Sequence, residues 1–225
     1  MILGKHCTRK CSFCAVEKYN SEPVDANEPT KVAKAIKDLG LSYSVITSVT
    51  RDDLPDCGAK HFAETVNEIK KVLPCSKVEV LIPDFLGKTD LVDIVLASKP
   101  DVFSHNLETV SGLYDKVRKD ADYKRSIKIL KYAKDMGFKV KTGIMLGLGE
   151  TEQQIFEIIE DVKEANIDVL TIGQYLAPTK RHHSVVKEYN ENEFQNIRTF
   201  ALSIGIRQVV SGRYVRSSYL VQEHF

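Results

Sequence analysis

The sequence predicts an α/β fold on a parallel sheet, and three observations predict it. Short β-branched runs alternate with longer stretches of three-and-four apolar spacing, giving six βα units in order. No Pro/Gly/Ser-rich linker, charge block or low-complexity tract interrupts the alternation. The length, 225 residues, is within what barrel-type α/β folds reach as one unit. One domain spanning residues 1–225 is therefore expected, with a C-terminal tail from about residue 206.

Each element has its own signal. Ile2 to Gly4 reads as a first short strand. In "ANEPTKVAKAIKDLGLS", Val32, Ala35, Ile36 and Leu39 share a helical face, with Pro29 early and Gly40 at the end. "YSVITSV", Tyr43 to Val49, is the second strand, and Phe62, Val66, Ile69 and Val72 mark the helix after it. "KVEVLIP", "VFSHNLE", "VKTGIMLGL" and "VLTIGQY" are the third to sixth strands. Helices are expected at "DLVDIVLAS", "YKRSIKILKYAKDMG", "TEQQIFEIIEDVKEA" and "NENEFQNIRTFALSIG", the third of these capped near Thr151. Thr47, Ser48, Asp84, His105, Asn106, Glu108, Lys141, Gln174 and Tyr175 are read as a polar set at the C-terminal strand ends, where barrels carry their sites.

Composition excludes several classes of function. Lys+Arg of 32 against Asp+Glu of 31 leaves no global field to attract nucleic acid or an anionic membrane, and no apolar run is long enough to span a bilayer. Met1 to Gly4 is too short for the apolar core of a secretory leader. The five cysteines include three within eight positions, a spacing that suits metal or redox chemistry in a reducing compartment better than a disulfide framework.

Cys7-x3-Cys11-x2-Cys14 offers three soft ligands on one tight loop. Zinc would need a fourth, for which His6 is adjacent. A cubane iron–sulfur cluster held by three thiolates would instead keep one iron open for chemistry. With Phe13 before the last cysteine and about six βα units following, the motif resembles the radical S-adenosylmethionine (SAM) superfamily. "GIMLGLGE", Gly143 to Glu150, is similar to its fifth-strand glycine motif at the adenine pocket, although a strand entering a glycine turn explains the same residues. "CTRKCSFC", "YSVITSVTRDDLPDCGAKHFA", "PDVFSHNLETV", "LTIGQYLAPTKRHHSVVKEY" and "GRYVRSSY" resemble the lipoyl synthase family throughout.

The resemblance implies a partial (β/α)6 TIM-type barrel of the radical SAM type. It implies a sulfurtransferase that inserts two sulfurs into a protein-bound octanoyl chain, using SAM, a SAM-binding 4Fe-4S cluster and a second, auxiliary 4Fe-4S cluster. Cys7, Cys11 and Cys14 would ligate the first cluster. Thr47 and Ser48 would meet the amino group of SAM; Asn106, Glu108 and Lys141 its ribose and carboxylate; Arg118 its carboxylate. For Lys141 a buried Lys–Glu pair, and for Arg118 a solvated surface position, are alternatives. Gln174 would contact the cofactor, and Tyr175, Arg181, His182 and His183 the substrate; a metal site at the histidine pair is a further alternative.

Ser218, with Ser217 as alternate, would ligate the auxiliary cluster from "RSSY", Arg216 to Tyr219. That cluster's upstream Cys-x4-Cys-x5-Cys motif is not in this sequence, which is expected to be clipped or to have lost the sulfur-donor half. Cys57 and Cys75 are read as ordinary residues. Implied partners are an octanoylated lipoyl carrier domain or glycine-cleavage H-type protein and a reductant such as flavodoxin or ferredoxin, with neither nucleic acid nor membrane. The implied location is the cytoplasm, or an organelle matrix if a targeting segment was lost. A single-cluster radical SAM enzyme with another substrate and a zinc-binding barrel module are the competing functions.

Overall fold

The computed structural model describes residues 1–18 and 22–218. Two compact units emerge, one of Met1–Thr8 with Val16–Ser104, the other of Arg9–Ala15 with His105–Phe225.

In the first unit β1 (His6–Cys7) and β2 (Glu17–Lys18) form a small parallel ladder. Three longer parallel strands follow, β3 (Tyr43–Thr47), β4 (Lys77–Leu81) and β5 (Val102–Ser104), with Thr47 opposite Leu81 and Leu81 opposite Ser104. Helices α1 (Glu28–Asp38), α2 (Ala59–Val72) and α3 (Thr89–Ala97) lie between them in sequence. The predicted helical face of α2 is the buried one over Phe62, Val66 and Ile69, which are fully enclosed, whereas Val72 at the helix end is exposed. Phe62 also packs edge-on against Phe85 (centroids 6.3 Å). Each such side chain contributes roughly 1.5–3 kcal/mol of burial free energy.

The expected first strand is corrected. Within Ile2–Gly4 only one bridge forms, Ile2 to Ser48, with the Ile2 N–H on Thr47 O (2.8 Å). Leu3 then turns left-handed (φ 68°), a conformation that no strand can continue. It is fixed there because its N–H donates to Glu28 Oε2 (2.8 Å) and its carbonyl accepts from Arg51 Nη1 (3.2 Å). Arg51 is itself held by Asp53 through Nε (2.9 Å) and Nη2 (3.0 Å), and His61 Nε2 shares Glu28 Oε2 (2.7 Å).

The second unit carries β6 (Val140–Leu146), β7 (Val169–Gln174) and β8 (Gln208–Gly212), all parallel. Its helices are α4 (Tyr114–Val117), α5 (Tyr123–Asp135), α6 (Glu152–Glu164) and α7 (Glu191–Ser203). Reciprocal capping boxes, Thr151 with Gln154 and Asn190 with Glu193, start α6 and α7. Ile129, Leu130, Val140, Ile159, Val162, Leu170 and Phe194 form the dry interior.

Two boundaries differ from expectation. "VFSHNLE" is a strand only to Ser104; beyond it Glu108 makes a single bridge to Ile144, and Glu108 itself is left-handed (φ 66°). The stretch assigned to a tail contains β8, so six parallel strands are reached by adding one at the end in place of Ile2–Gly4.

Gly58 tests the packing of the first unit. Its φ is +87°, and a methyl group there would lie 2.4 Å from Leu3 Cδ1. Gly58→Ala should cost about 2 kcal/mol, lowering a calorimetric Tm by roughly 4–8 °C. An unchanged Tm would mean that Leu3 is not fixed as described.

Candidate active site

In the first unit, Cys7 is half-buried in β1. The next residue ties the loop to the end of β3: Thr8 N–H and Oγ1 both reach Thr50 O (3.0 Å each), and Asp52 N–H donates to Thr8 Oγ1 (3.2 Å). Thr47 ends β3, and beside it Ser48 buries an Oγ with no hydrogen-bond partner. His6 has both ring nitrogens engaged, Nδ1 with Glu22 (2.5 Å) and Nε2 with Glu17 (3.1 Å). The hydrogen bond with His6 and that from the Lys5 N–H hold the Glu22 carboxyl down at about 2, and with both His6 nitrogens engaged the zinc alternative is without its fourth ligand.

In the second unit, the short segment bearing Cys11 and Cys14 is gripped at Ser12. Ser12 N–H (2.9 Å) and Oγ (3.3 Å) reach Val117 O, while His183 N–H donates to Ser12 O (3.0 Å). Cys14 N–H closes a turn on Cys11 O (3.3 Å). Phe13 packs against Val117, Leu148 and Tyr175, which explains the aromatic residue before the last cysteine. The glycine turn after β6 is ordered by Glu150, whose carboxylate accepts from the N–H groups of Gly147 (2.6 Å), Leu148 (2.9 Å) and Gly149 (3.0 Å), and from Tyr189 Oη (3.0 Å).

A cavity of ≈ 420 Å³ opens in the same unit, lined by Asn106, Glu108, Gly143, Met145, Thr171 and Ser218 among others. Asn106 donates to Glu108 Oε1 (3.1 Å) and to Ser217 Oγ (3.0 Å), and its own Oδ1 is buried without a partner. Desolvation raises the Glu108 carboxyl, against the pull of Arg118 and Asn106. Lys141 is at the start of β6, not at its C-terminal end. Strand alternation puts Lys141 and Gly143 on one face; the fully buried lysine reaches Ser217 O (2.5 Å), and a side chain at Gly143 would meet Thr171 Oγ1 and Asn106 Oδ1. Ser218 is exposed at the cavity edge; Tyr219 is outside the described residues.

Arg118 is buried, not solvated. Its guanidinium meets Tyr114 Oη (2.7 Å), Ser126 Oγ (3.2 Å) and Leu107 O (3.4 Å). Burial acts to lower its pKa, but Tyr114, Glu108 and Cys11 outweigh that and raise it, so a fixed positive charge faces the cysteine segment.

Other predicted residues are placed elsewhere. Gln174 spends its amide on Leu146 O (3.0 Å), Tyr175 O (3.2 Å) and Lys187 O (3.0 Å), and accepts from Tyr189 N–H (2.9 Å). Asp84 caps a 3-10 turn through Leu86 N–H (3.0 Å). Tyr175 Oη donates to His183 O (2.7 Å), His182 Nδ1 pairs with Thr179 Oγ1 (2.9 Å), and Arg181 is exposed. The roles of Arg51, Glu150 and Ser12 are additions that the sequence reading lacked.

The residue types fit an iron–sulfur cluster with a polar organic ligand: cysteines outside any disulfide in each unit, a buried unpaired Ser48 Oγ in the first, and in the second a buried unpaired Asn106 Oδ1 at a polar cavity. Among the described residues no three His, Cys, Asp or Glu side chains converge tightly enough for a single metal ion.

Residues 1–162 match the Radical SAM superfamily. A lipoyl synthase of Caldicellulosiruptor saccharolyticus is 49% identical over 99% of this chain and 79% of its own length, and one of Aquifex aeolicus is 48% identical over 97% and 80%. The chain belongs to the lipoyl synthase family. Among solved structures, Streptococcus suis SuiB bound to S-adenosylmethionine matches with a TM-score of 0.73 at 18% identity, covering 97% of this chain and 51% of that one. Methylornithine synthase gives 0.67 at 15%, covering 96% and 75%. These likenesses carry the fold, a partial TIM-type barrel architecture shared with radical SAM enzymes.

Because Glu150 satisfies three backbone donors at once, Glu150→Gln should cost about 2 kcal/mol. Its amide would present a donor to donors, so thermal unfolding should fall by several degrees. A Tm within one degree of the parent would contradict this role.

Proposed function

We propose that the protein is a radical SAM sulfurtransferase of the lipoyl synthase type, inserting two sulfur atoms into a protein-bound octanoyl chain. The observation that carries this reading is near-half identity to lipoyl synthases over almost the whole chain, joined to a cysteine triplet with the matching spacing. Cys7, Cys11 and Cys14 hold the SAM-binding 4Fe-4S cluster. With SAM bound, this group supplies a 5′-deoxyadenosyl radical for hydrogen abstraction.

The rest is done by side chains. Thr47 and Ser48 receive the amino group of SAM, and Asn106 its ribose, a role supported by the buried, unpartnered Asn106 Oδ1. Glu108 and Lys141 complete the polar wall. Arg118, locked by Tyr114 and Ser126, offers its charge to the SAM carboxylate or to the cysteine segment. Gln174, with its hydrogen bonds internal, braces the wall. Ser218 is the better auxiliary-cluster ligand, since Ser217 Oγ is taken by Asn106.

The chain acts as one domain despite its two compact units. The octanoyl group is delivered on a lipoyl carrier domain or a glycine-cleavage H-type protein, with flavodoxin or ferredoxin as reductant, in the cytoplasm. No described helix is long and apolar enough to cross a membrane.

Two assays test this. The reconstituted chain with SAM and dithionite should form 5′-deoxyadenosine, and Cys11→Ala should abolish it; product from the variant would sink the ligand assignment. Mass spectrometry of an octanoylated carrier should show no gain of sulfur with these 225 residues alone, because the auxiliary cluster's cysteine motif is not among them. Addition of a segment bearing that motif should yield the two-sulfur product. Sulfur insertion by the 225-residue chain alone would overturn the requirement for the motif.

A further inference from the structure

The histidine pair after β7 was expected to face the substrate, yet His183 is joined on four sides to groups that shape the cysteine segment. Its backbone N–H donates to Ser12 O (3.0 Å), midway between Cys11 and Cys14. Its Nε2 meets Leu148 O (2.7 Å), its carbonyl accepts from Tyr175 Oη (2.7 Å), and its ring lies 6.3 Å from that of Tyr175. Leu148 and Tyr175 in turn pack with Phe13. A carbonyl can only accept, so Nε2 carries the proton in this contact.

We propose that His183 is a positioning residue for the SAM-cluster loop: its imidazole, anchored on the Leu148 carbonyl, holds its own N–H on Ser12 and so sets the geometry of the Cys11–Cys14 turn. The backbone N–H survives any substitution, but its location does not. Without the imidazole anchor, the segment keeps Val186 N–H on Gly147 O (2.8 Å) and His183 O on Tyr175 Oη (2.7 Å), but loses the side-chain contact to the Glu150-ordered turn that lies next to the Ser12 bond. Ser12 would then keep the Val117 contact on one side and be held less firmly by the His183 N–H on the other. The proposal rests on the reading that Cys7, Cys11 and Cys14 hold the cluster.

The test compares His183→Leu, which removes the donor, with His183→Gln, whose amide nitrogen can stand where Nε2 stood, and His183→Asn, whose nitrogen reaches only the Nδ1 position. In the metal-free protein, amide exchange at position 183, whose N–H donates to Ser12 O, should quicken about fivefold in the Leu and Asn variants, as losing one net hydrogen bond predicts, and be restored by Gln. In reconstituted protein, chelator should strip iron faster from Leu and Asn by a similar factor. The EPR signal of their reduced cluster should broaden and respond less to SAM, again with rescue by Gln. If His183→Leu does not fold, the Gln and Asn pair decides alone. Equal exchange and equal EPR spectra for Gln, Asn and the parent would overturn the proposal. A parent that binds no more iron than Cys11→Ala would overturn the cluster reading, and this inference with it.

Discussion

The segment that carries Cys11 and Cys14 has no helix or strand of its own, so its shape depends on one residue, Ser12, held through its N–H on one side and its carbonyl on the other. Val117 takes the Ser12 N–H and His183 supplies a donor to its carbonyl. Three thiolates in eight positions make a cluster site only if the chain between them keeps a fixed curve, because a floppy loop would lose conformational entropy with each ligand it ordered. Much of the second unit serves that constraint. The short α4 presents Val117, the Glu150-ordered turn presents Leu148, and the loop after β7 presents His183.

Charge in the site follows a consistent logic. A buried guanidinium is costly unless its donors are met, and Arg118 meets a phenol, a hydroxyl and a carbonyl. Its remaining field falls on Glu108 and Cys11. Lys141 is fully buried too, and its ammonium is met by the carbonyl of Ser217, a residue of the cavity wall. The polar wall is thus assembled from groups that start at different heights on the strands.

Much of this was legible in the sequence. Five of the six main strands and the helices of seven residues or more followed from periodicity, and the α6 cap from Thr151 and Gln154. The first strand was misread because Leu3, apolar and β-compatible, is forced left-handed by Glu28 and Arg51, contacts 25 and 48 residues away. β8 was missed because "QVVSG" is short and ends in small residues, though two adjacent valines after a helix ending at a glycine were a usable signal. Gln174 looked like a ligand contact by its place at a strand end. Nothing in its spacing reveals that Leu146, Lys187 and Tyr189 consume its amide.

The central claim is that Cys7, Cys11 and Cys14 hold a cubane with one iron open to SAM. Mössbauer spectroscopy of protein reconstituted with iron-57 tests it most directly. The account predicts that one iron of the four differs from the others once SAM is added, shifting toward the higher coordination that nitrogen and oxygen ligands impose. A spectrum identical with and without SAM, or a chain that takes up colourless zinc in place of iron, would contradict it.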